Sequence, residues 1–215
     1  MLNNIKLLVF DLDGTLVDSG TTIYEATTLA LEKMNIPYGF TKSQLENMIG
    51  HHFMTVFNKY GVVVNDLETY LAVYKPIYNS LLYKSTLYPG VIETLSLLKN
   101  AGYTIALLTT KAQEQATNVL NYFNILEYFS LVNGRTPESE VKPSPAPLLS
   151  ICETLGYKPQ EAIMIGDSEL DIQCGINAKA KTCAVTYGFR TPEQLAMEKP
   201  DFIVNSLKEL QQLFH

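Results

Sequence analysis

The stretch Lys6-Leu7-Leu8-Val9-Phe10-Asp11-Leu12-Asp13-Gly14-Thr15-Leu16 decides the fold, because two acids directly follow an apolar run. The apolar residues over 5–10 predict a buried strand. Carboxylates resist burial unless a cation or hydrogen-bond donors neutralise them. A strand that ends in Asp11 and Asp13 therefore indicates a hard metal ion, a carboxylate nucleophile, or both.

A second apolar run repeats this design far along the chain. Residues 162–165 are Ala-Ile-Met-Ile, and they are followed by Gly-Asp-Ser-Glu-Leu-Asp, which places acids at Asp167 and Asp171. If the two runs are neighbouring parallel strands, all four aspartates gather at one carboxyl edge of the sheet. Ligands of open α/β sheets bind in the crevice outside that edge.

The composition is that of a folded protein with an acidic surface. Of 215 residues, 47% are hydrophobic and 18% are charged, and the formal net charge is −6. This charge argues against nucleic-acid or anionic-membrane partners. No run approaches the roughly 20 apolar residues that span a bilayer, and Lys6 interrupts the first apolar stretch, so we expect a cytoplasmic protein without a signal peptide. The cysteines at 152, 174 and 183 lack zinc-type spacing and are expected to be reduced packing residues.

The order of predicted elements indicates an α/β fold with a Rossmann-like parallel sheet. After residue 88, strands and helices alternate, which is typical of a parallel sheet with right-handed crossovers. Residues 20–84 instead show mainly helical periodicity. The chain therefore divides into an α/β core over residues 1–15 and 88–215 and a helical insert over residues 16–87. One expected helix starts at the N-cap Thr41, with Gln44 at the capping-box position.

Four segments of the predicted core carry chemistry-bearing side chains after apolar runs. These segments are Asp11-x-Asp13, Thr109 within Leu107-Leu108-Thr109-Thr110-Lys111, Lys142 before Pro143, and Asp167 with Asp171. In this order they resemble the four motifs of the haloacid dehalogenase-like hydrolase superfamily, and the resemblance covers the whole chain. The insert looks like the C1-type cap of that superfamily. The stretches Asp-Gly-Thr-Leu-Val-Asp-Ser (13–19) and Tyr-Pro-Gly (88–90) are similar to its phosphoglycolate phosphatase and pyrophosphatase branch.

The resemblance implies a role for each motif residue. Asp11 is the expected nucleophile, which forms an aspartyl-phosphate, and Asp13 is the expected general acid and base. Mg²⁺ is the implied cofactor, held by the carboxylates of Asp11 and Asp167 and by the backbone carbonyl of Asp13. Asp171 is expected to support the waters of that metal.

Two further catalytic roles follow from the same resemblance. Thr109 is expected to hydrogen-bond a phosphoryl oxygen, and Lys142 to neutralise charge on the nucleophile and the phosphate. The presence of Asp13 favours attack on phosphorus, because the dehalogenases of the superfamily attack carbon and lack that acid.

The substrate contacts are harder to derive from one sequence. Gly50 and His51 are candidate substrate-binding residues, because the loop after Ile49 looks like a cap segment that faces the core site. Thr110 is a third candidate, because its backbone N–H is expected to join the phosphate cradle, although the similar branch often has asparagine at this position. For His51 and its neighbour His52, a role in substrate selection and a simple position at a helix start both stay open. Lys111 and Arg135 could contact the substrate, but they are interpreted as surface charges, which is the ordinary position of such side chains.

The expected function is Mg²⁺-dependent hydrolysis of a small phosphorylated metabolite such as phosphoglycolate, by a monomer or a homodimer. The alternatives within the same fold are a phosphomutase of the β-phosphoglucomutase type and an inorganic pyrophosphatase. Residues 20–24, Gly-Thr-Thr-Ile-Tyr, lack the histidine that such mutases often carry after the first motif, which counts against a mutase. A third alternative is a binding or regulatory protein that keeps the fold without turnover.

Overall fold

The computed structural model of the protein describes residue 2 and residues 4–214, and these residues form a six-stranded parallel sheet and a separate two-stranded ribbon. The strands are β1 (Leu7–Phe10), β2 (Val17–Asp18), β3 (Thr86–Leu87), β4 (Thr104–Ala112), β5 (Leu131–Arg135), β6 (Ala162–Gly166), β7 (Lys181–Val185) and β8 (Phe202–Val204).

The first strand lies in the middle of the large sheet. The strand order is β5-β4-β1-β6-β7-β8, and Phe10 is in register with Leu107 of β4 and with Ile165 of β6. Such a strand is paired on both edges and covered on both faces, which explains its uninterrupted apolar sequence. The α/β fold with a parallel sheet is confirmed, and so is the expected pairing of the two runs that end in acids.

Helices cover both faces of the sheet. The helices are α1 (Gly20–Lys33), α2 (Lys42–Glu46), α3 (Phe53–Lys59), α4 (Leu67–Ser80), α5 (Val91–Asn100), α6 (Gln113–Tyr122), α7 (Ala146–Leu155), α8 (Glu169–Asn177), α9 (Pro192–Met197) and α10 (Leu207–Gln212). Side chains alternate along a strand, so Leu8 and Phe10 pack on the α5, α6 and α10 side while Leu7 and Val9 pack on the α7 and α8 side.

The segment between β2 and β3 is helical, as the sequence predicts. Helices α1 and α4 pack against each other, and an aromatic cluster of Phe53, Phe57, Tyr70 and Tyr74 fills the space between α3 and α4. Thr41 caps α2 through the expected capping box with Gln44. Burial of this apolar cluster stabilises helices that are too short to persist alone in water.

Three local features differ from the sequence-based expectations. The connections on either side of the helical segment pair as the antiparallel ribbon β2–β3, which the sequence analysis does not predict. The apolar stretch over residues 129–132 predicts a strand, whereas β5 begins two residues later, at Leu131, and extends to Arg135. Helix α9 is a third difference from the expected elements: Thr191 and Gln194 form a capping box at its start, and Pro192 occupies its first turn.

The cysteines are packing residues, as predicted. Cys152, Cys174 and Cys183 are free and buried. Burial raises the pKa of the Cys183 thiol to about 12, so this side chain stays protonated at neutral pH. Within the described residues, no helix combines the length and the apolar character needed to cross a bilayer.

Candidate active site

Three acids from distant parts of the chain meet at the carboxyl edge of the sheet. Asp11 follows β1, Asp167 follows β6, and Asp171 lies in the first turn of α8. One carboxylate oxygen from each of them lies within 4.8 Å of those of the other two, and all three side chains are buried. The pairing of β1 with β6 brings Asp11 and Asp167 together, since the backbone N–H of Asp11 donates to the carbonyl of Ile165 at 2.9 Å.

A buried lysine lies against two of these acids. The Nζ atom of Lys142 is 2.8 Å from Oδ1 of Asp11 and 2.5 Å from Oδ1 of Asp171, and it donates to the carbonyl of Leu108 at 3.0 Å. Burial alone would lower the pKa of Lys142, but the two carboxylates outweigh it and hold that pKa above its usual range. Lys142 is therefore a permanent cation at neutral pH.

Asp171 is held from two sides. One of its oxygens accepts from Lys142, and the other accepts from the backbone N–H and the hydroxyl of Ser168 at 3.1 and 2.6 Å. Its carboxylate thus caps the start of α8 while it borders the acid cluster. The predicted position of Asp171 beside the metal ligands agrees with this geometry, and its role stays a prediction.

Asp167 is almost fully enclosed, with 1% of its surface exposed. The hydroxyl of Thr15 donates to its Oδ1 at 3.1 Å, and the backbone N–H of Phe189 donates to its Oδ2 at 2.8 Å. Burial, together with Asp11 and Asp171, raises the pKa of Asp167 to about 8. The contacts of Thr15 and Phe189 with Asp167 are not predicted from the sequence, although Thr15 lies in the stretch that follows the first apolar run.

The charges of the cluster are suited to a divalent cation. Burial raises the pKa of Asp11 to about 7 even though Lys142 pulls it down. Three buried carboxylates face one lysine, so full ionisation leaves two negative charges uncompensated. Buried charges need a partner, and carboxylate oxygens are the ligands that hard divalent ions prefer. The residues present therefore fit a divalent metal site.

Asp13 lies next to this cluster but outside it. Its carboxylate accepts a hydrogen bond from the hydroxyl of Ser19 at 2.6 Å and lies 3.0 Å from Nζ of Lys111. The interpretation of Lys111 as a surface charge is wrong, because only 6% of its side chain is exposed. Its ammonium also lies 4.4 Å from the ring centroid of Tyr78, a favourable cation–π contact.

The two threonines after the apolar part of β4 take different positions. Thr109 is buried, and its hydroxyl accepts the backbone N–H of Lys111 at 3.2 Å. Thr110 is half-buried and lines a cavity beside the acid cluster. The predicted contacts of both residues with a substrate stay predictions.

This cavity, of about 110 Å³, lies between the helical segment and the core. Its polar lining includes Asp13, Thr110, Lys111, Gln115 and Arg135, and its other side consists of apolar residues from α1 to α4 together with Gly50, His51 and His52. The location agrees with the prediction that the loop after Ile49 faces the core site.

The two histidines differ in their contacts. Nε2 of His51 lies 2.9 Å from Oε1 of Glu169 at the start of α8, so His51 bridges the helical segment and the core. His52 is the N-cap of α3, where its Nδ1 accepts the backbone N–H of Met54 at 3.3 Å. The alternative of a helix-start residue therefore describes His52, and both side chains also border the cavity.

Comparison with known proteins identifies the family of this fold and site. The family model described as haloacid dehalogenase-like hydrolase matches residues 8–185. The chain belongs to this family. Its six-stranded parallel sheet, with acids after β1 and β6, agrees with the resemblance that the four motifs indicate.

Relatives within the haloacid dehalogenase-like family match the chain over nearly its full length. A phosphoglycolate phosphatase of Aquifex aeolicus (strain VF5) is 33% identical, with 97% of this chain and 96% of the relative aligned. The pyrophosphatase PpaX of Bacillus cereus (strain AH820) is 31% identical, with 96% and 94% aligned. The crystal structure of a predicted phosphoglycolate phosphatase from Haemophilus somnus 129PT superposes with a TM-score of 0.85 at 28% identity, covering 99% of both chains.

Proposed function

We propose that this protein is a Mg²⁺-dependent phosphatase that hydrolyses a small phosphorylated metabolite through an aspartyl-phosphate. The observation that carries the proposal is the buried group of Asp11, Asp167 and Asp171 around Lys142, with Asp13 beside it. Such a concentration of buried negative charge is unfavourable to the fold unless a cation compensates it, and buried carboxylates with shifted pKa values are typical of active sites.

Asp11 is the proposed nucleophile. One carboxylate oxygen attacks phosphorus, the bond from phosphorus to the ester oxygen breaks, and the phosphoryl group remains on Asp11. Water then attacks this intermediate, which releases inorganic phosphate and restores the carboxylate. Splitting the reaction into two displacements lowers the barrier of a hydrolysis that is extremely slow without a catalyst.

A metal ion fits the acids around the nucleophile. Its proposed ligands are the carboxylates of Asp11 and Asp167 and the backbone carbonyl of Asp13, with Asp171 alongside, and Mg²⁺ is the ion for which such oxygen donors are typical. When bound, the ion would screen the negative charge of the phosphate and so allow an anionic nucleophile to approach. Lys142 adds a fixed positive charge on Asp11, and Thr109 would donate a hydrogen bond to a phosphoryl oxygen.

Asp13 is the proposed acid and base. It would give a proton to the departing ester oxygen and take one from the water of the second step. Its orientation is set by Ser19 and Lys111, whose donors lie 2.6 and 3.0 Å from its two oxygens. We infer that Lys111 acts as a positioning residue, since it holds the Asp13 carboxylate toward the site.

The cavity beside Asp13 supports a small substrate with an anionic leaving group. Its volume of about 110 Å³ suits a group of few atoms, and Lys111 and Arg135 supply positive charge in its lining. Phosphoglycolate, which carries a carboxylate beyond its phosphate, meets both conditions, in line with the names of the relatives. Thr110, Gly50 and His51 are the proposed substrate contacts from the core and from the helical segment.

Inorganic pyrophosphate is the second candidate substrate, because a pyrophosphatase is among the full-length relatives. Its leaving group is also anionic and small, so the same cavity charges would accept it. The two substrates can be distinguished by their products, because each molecule of phosphoglycolate releases one inorganic phosphate and each molecule of pyrophosphate releases two.

The segment over residues 16–87 is the proposed cap of this enzyme. It would move relative to the core over residues 1–15 and 88–215 to admit substrate, and close to keep water from the ester until the intermediate forms. Such a cap can function in a monomer or a homodimer, and the proposed reaction on a small metabolite suits a cytoplasmic enzyme.

The test is a panel of phosphorylated metabolites with Mg²⁺, scored by phosphate release. We expect turnover of phosphoglycolate or pyrophosphate that needs no bisphosphate activator, and its loss in EDTA and in Asp11→Asn. Isomerisation of a sugar phosphate without phosphate release would instead identify a mutase. Wild-type turnover in Asp11→Asn would contradict the proposed mechanism.

A further inference from the structure

Arg190 connects the core to the helical segment through a group of hydrogen bonds outside the acid cluster. It lies between β7 and α9, and only 3% of its side chain is exposed. Its Nη2 donates to the carbonyl of Ile49 at 3.0 Å and its Nη1 to the carbonyl of Glu46 at 3.4 Å. Both carbonyls belong to α2 or to the α2–α3 loop (residues 47–52).

The same guanidinium is anchored on the core by Glu169, the first residue of α8. Nε of Arg190 donates to Oε2 of Glu169 at 2.8 Å, and Nη2 lies 3.3 Å from Oε1. Oε1 also lies 2.9 Å from Nε2 of His51. The Glu169 carboxylate therefore contacts Arg190 from the core and His51 from the helical segment.

The arrangement depends on the planar fork of arginine. One guanidinium donates to a carboxylate and to two carbonyls at once. A lysine cannot replace it, because the N–H donors of an ammonium all lie on one nitrogen and cannot point to acceptors this far apart. Displacement of the loop would leave the ion pair with Glu169 in place but would remove the two carbonyl acceptors of this buried guanidinium, and unmade hydrogen bonds of a buried charged group are unfavourable. The contact therefore favours a docked position of the α2–α3 loop over a displaced one.

The residues before Arg190 touch the acid cluster directly. The backbone N–H of Phe189 donates to Oδ2 of Asp167, and Gly188 lies so close to Asp167 that a Cβ atom there would come within 2.3 Å of its Cβ. Glu169 likewise follows Asp167 by two residues. Two short segments, residues 167–169 and 188–190, therefore contain both Asp167 with its contacts and the Glu169–Arg190 pair that holds the loop.

We propose that Arg190 is a positioning residue that docks the α2–α3 loop on the core through Glu169 and thereby sets substrate discrimination. The loop contributes Ile49, Gly50 and His51 to the cavity that also contains Asp13 and Lys111. Release of the loop would open that cavity and weaken contacts with the leaving group of a cognate substrate. The effect on discrimination rests on the proposed phosphatase function, whereas the docking itself does not.

Hydrogen exchange tests the docking without any substrate. The variants are Arg190→Gln and Arg190→Lys. The control is Lys181→Gln, which removes a half-exposed lysine at the first residue of β7, where it pairs with Asp201. The probes are the loop amides of Met48, Ile49 and His51, which are hydrogen-bonded within the helical segment.

In Arg190→Gln the loop amides should exchange about tenfold faster or more, with a smaller effect in Arg190→Lys, while the amides of β1 keep their protection. Unchanged loop amides, or an equal loss of protection in β1, would overturn the docking role. If Arg190→Gln does not fold, Glu169→Gln takes its place, and the loop amides should again exchange faster than those of β1.

Kinetics then test the discrimination. Arg190→Gln should lower kcat/KM for the best metabolite phosphate about tenfold more than kcat/KM for p-nitrophenyl phosphate, mainly through KM. An equal fall for both substrates would overturn the discrimination role. Absence of turnover in the wild-type protein would refute the proposed function. It would not affect the docking role, because the hydrogen-exchange experiment tests that role without any substrate.

Discussion

Lys111 and Asp13 form a buried ion pair at the edge of the candidate active site. Nζ of Lys111 lies 3.0 Å from Oδ2 of Asp13, with 6% and 9% of the two side chains exposed. The aromatic ring of Tyr78, from the helical segment, covers the ammonium. Removal of one partner from such a pair leaves the other charge buried, so the two residues are expected to depend on each other.

Lys111→Met should lower kcat/KM by about 10²-fold, because Asp13 loses the contact that orients it beside the reacting oxygen. Steady-state kinetics with the best metabolite phosphate measure this effect. Lys84→Met is the matched control, since Lys84 forms a more exposed pair with Glu25 and should leave kcat/KM near the wild-type value. Equal kcat/KM values for the two variants would show that Lys111 does not position Asp13 for catalysis.

Asp11→Asn should reduce kcat by about 10³-fold or more, because an amide is a poor nucleophile toward phosphorus. The side chain keeps its size and can still accept from Lys142, so the fold should persist. Circular dichroism and the thermal unfolding midpoint check the fold, and phosphate release checks activity. Activity within tenfold of wild type would assign the nucleophile to another residue.

Chelation should abolish activity and lower the thermal stability of the protein, because the carboxylates of Asp11 and Asp167 would face each other without a metal ion between them. At Mg²⁺ concentrations about 100-fold above Kd, the free energy of unfolding should rise by about 2.7 kcal/mol. Differential scanning calorimetry with and without EDTA measures the change. Asp167→Asn should show little of this Mg²⁺ response, and a full response in that variant would argue against the proposed ligand.

Gly188→Ala should lower kcat/KM by about 10²-fold through a displacement of Asp167. A Cβ atom at position 188 would lie 2.3 Å from Cβ of Asp167 and 2.4 Å from the carbonyl oxygen of Gly14, so the backbone or the acid must shift. Gly39→Ala is the control, because a Cβ atom there meets nothing within 4 Å. A Gly188→Ala variant as active as Gly39→Ala would show that the site tolerates the shift.

Asp201→Asn should destabilise the protein by about 1 kcal/mol at pH 7. Burial would raise the pKa of Asp201, but Lys181 and Thr182 outweigh it and hold this pKa below its usual value. A carboxyl whose folded pKa is depressed stabilises the fold above the unfolded pKa, about 3.9, and this contribution is lost as the pH falls through the folded pKa.

Urea unfolding of wild type and Asp201→Asn at several pH values measures this dependence. The difference between the two proteins should be constant from pH 7 to about pH 5 and shrink below about pH 4. A difference that stays the same at pH 3 would mean that the ionised carboxylate is not the cause.

The convergence of Asp11 and Asp167 could be predicted from the sequence for a physical reason. Each acid ends an uninterrupted apolar run, and such runs are typical of central parallel strands, whose carboxyl ends share one edge. The capping box of Thr41 and Gln44 is equally local, because its partners lie within one helical turn.

The environments of Lys111 and Arg190 could not be predicted in this way. Their burial depends on segments far away in the chain, Tyr78 for Lys111 and Ile49 for Arg190. Solvent exposure of a charged side chain is the ordinary expectation from sequence. Only the docking of the helical segment on the sheet removes these two from water.

The ribbon β2–β3 brings the two ends of the inserted segment side by side. Val17 is paired with Leu87 and Asp18 with Thr86, and directly opposed residues in an antiparallel pair have Cα atoms about 5 Å apart. A gap of that size can be closed by a two-residue hairpin turn. The sheet could therefore accept a tight turn, or a different insert, at this point without a change in its own strand order. The segment proposed to select the substrate can thus be exchanged independently of the sheet edge that carries the acids.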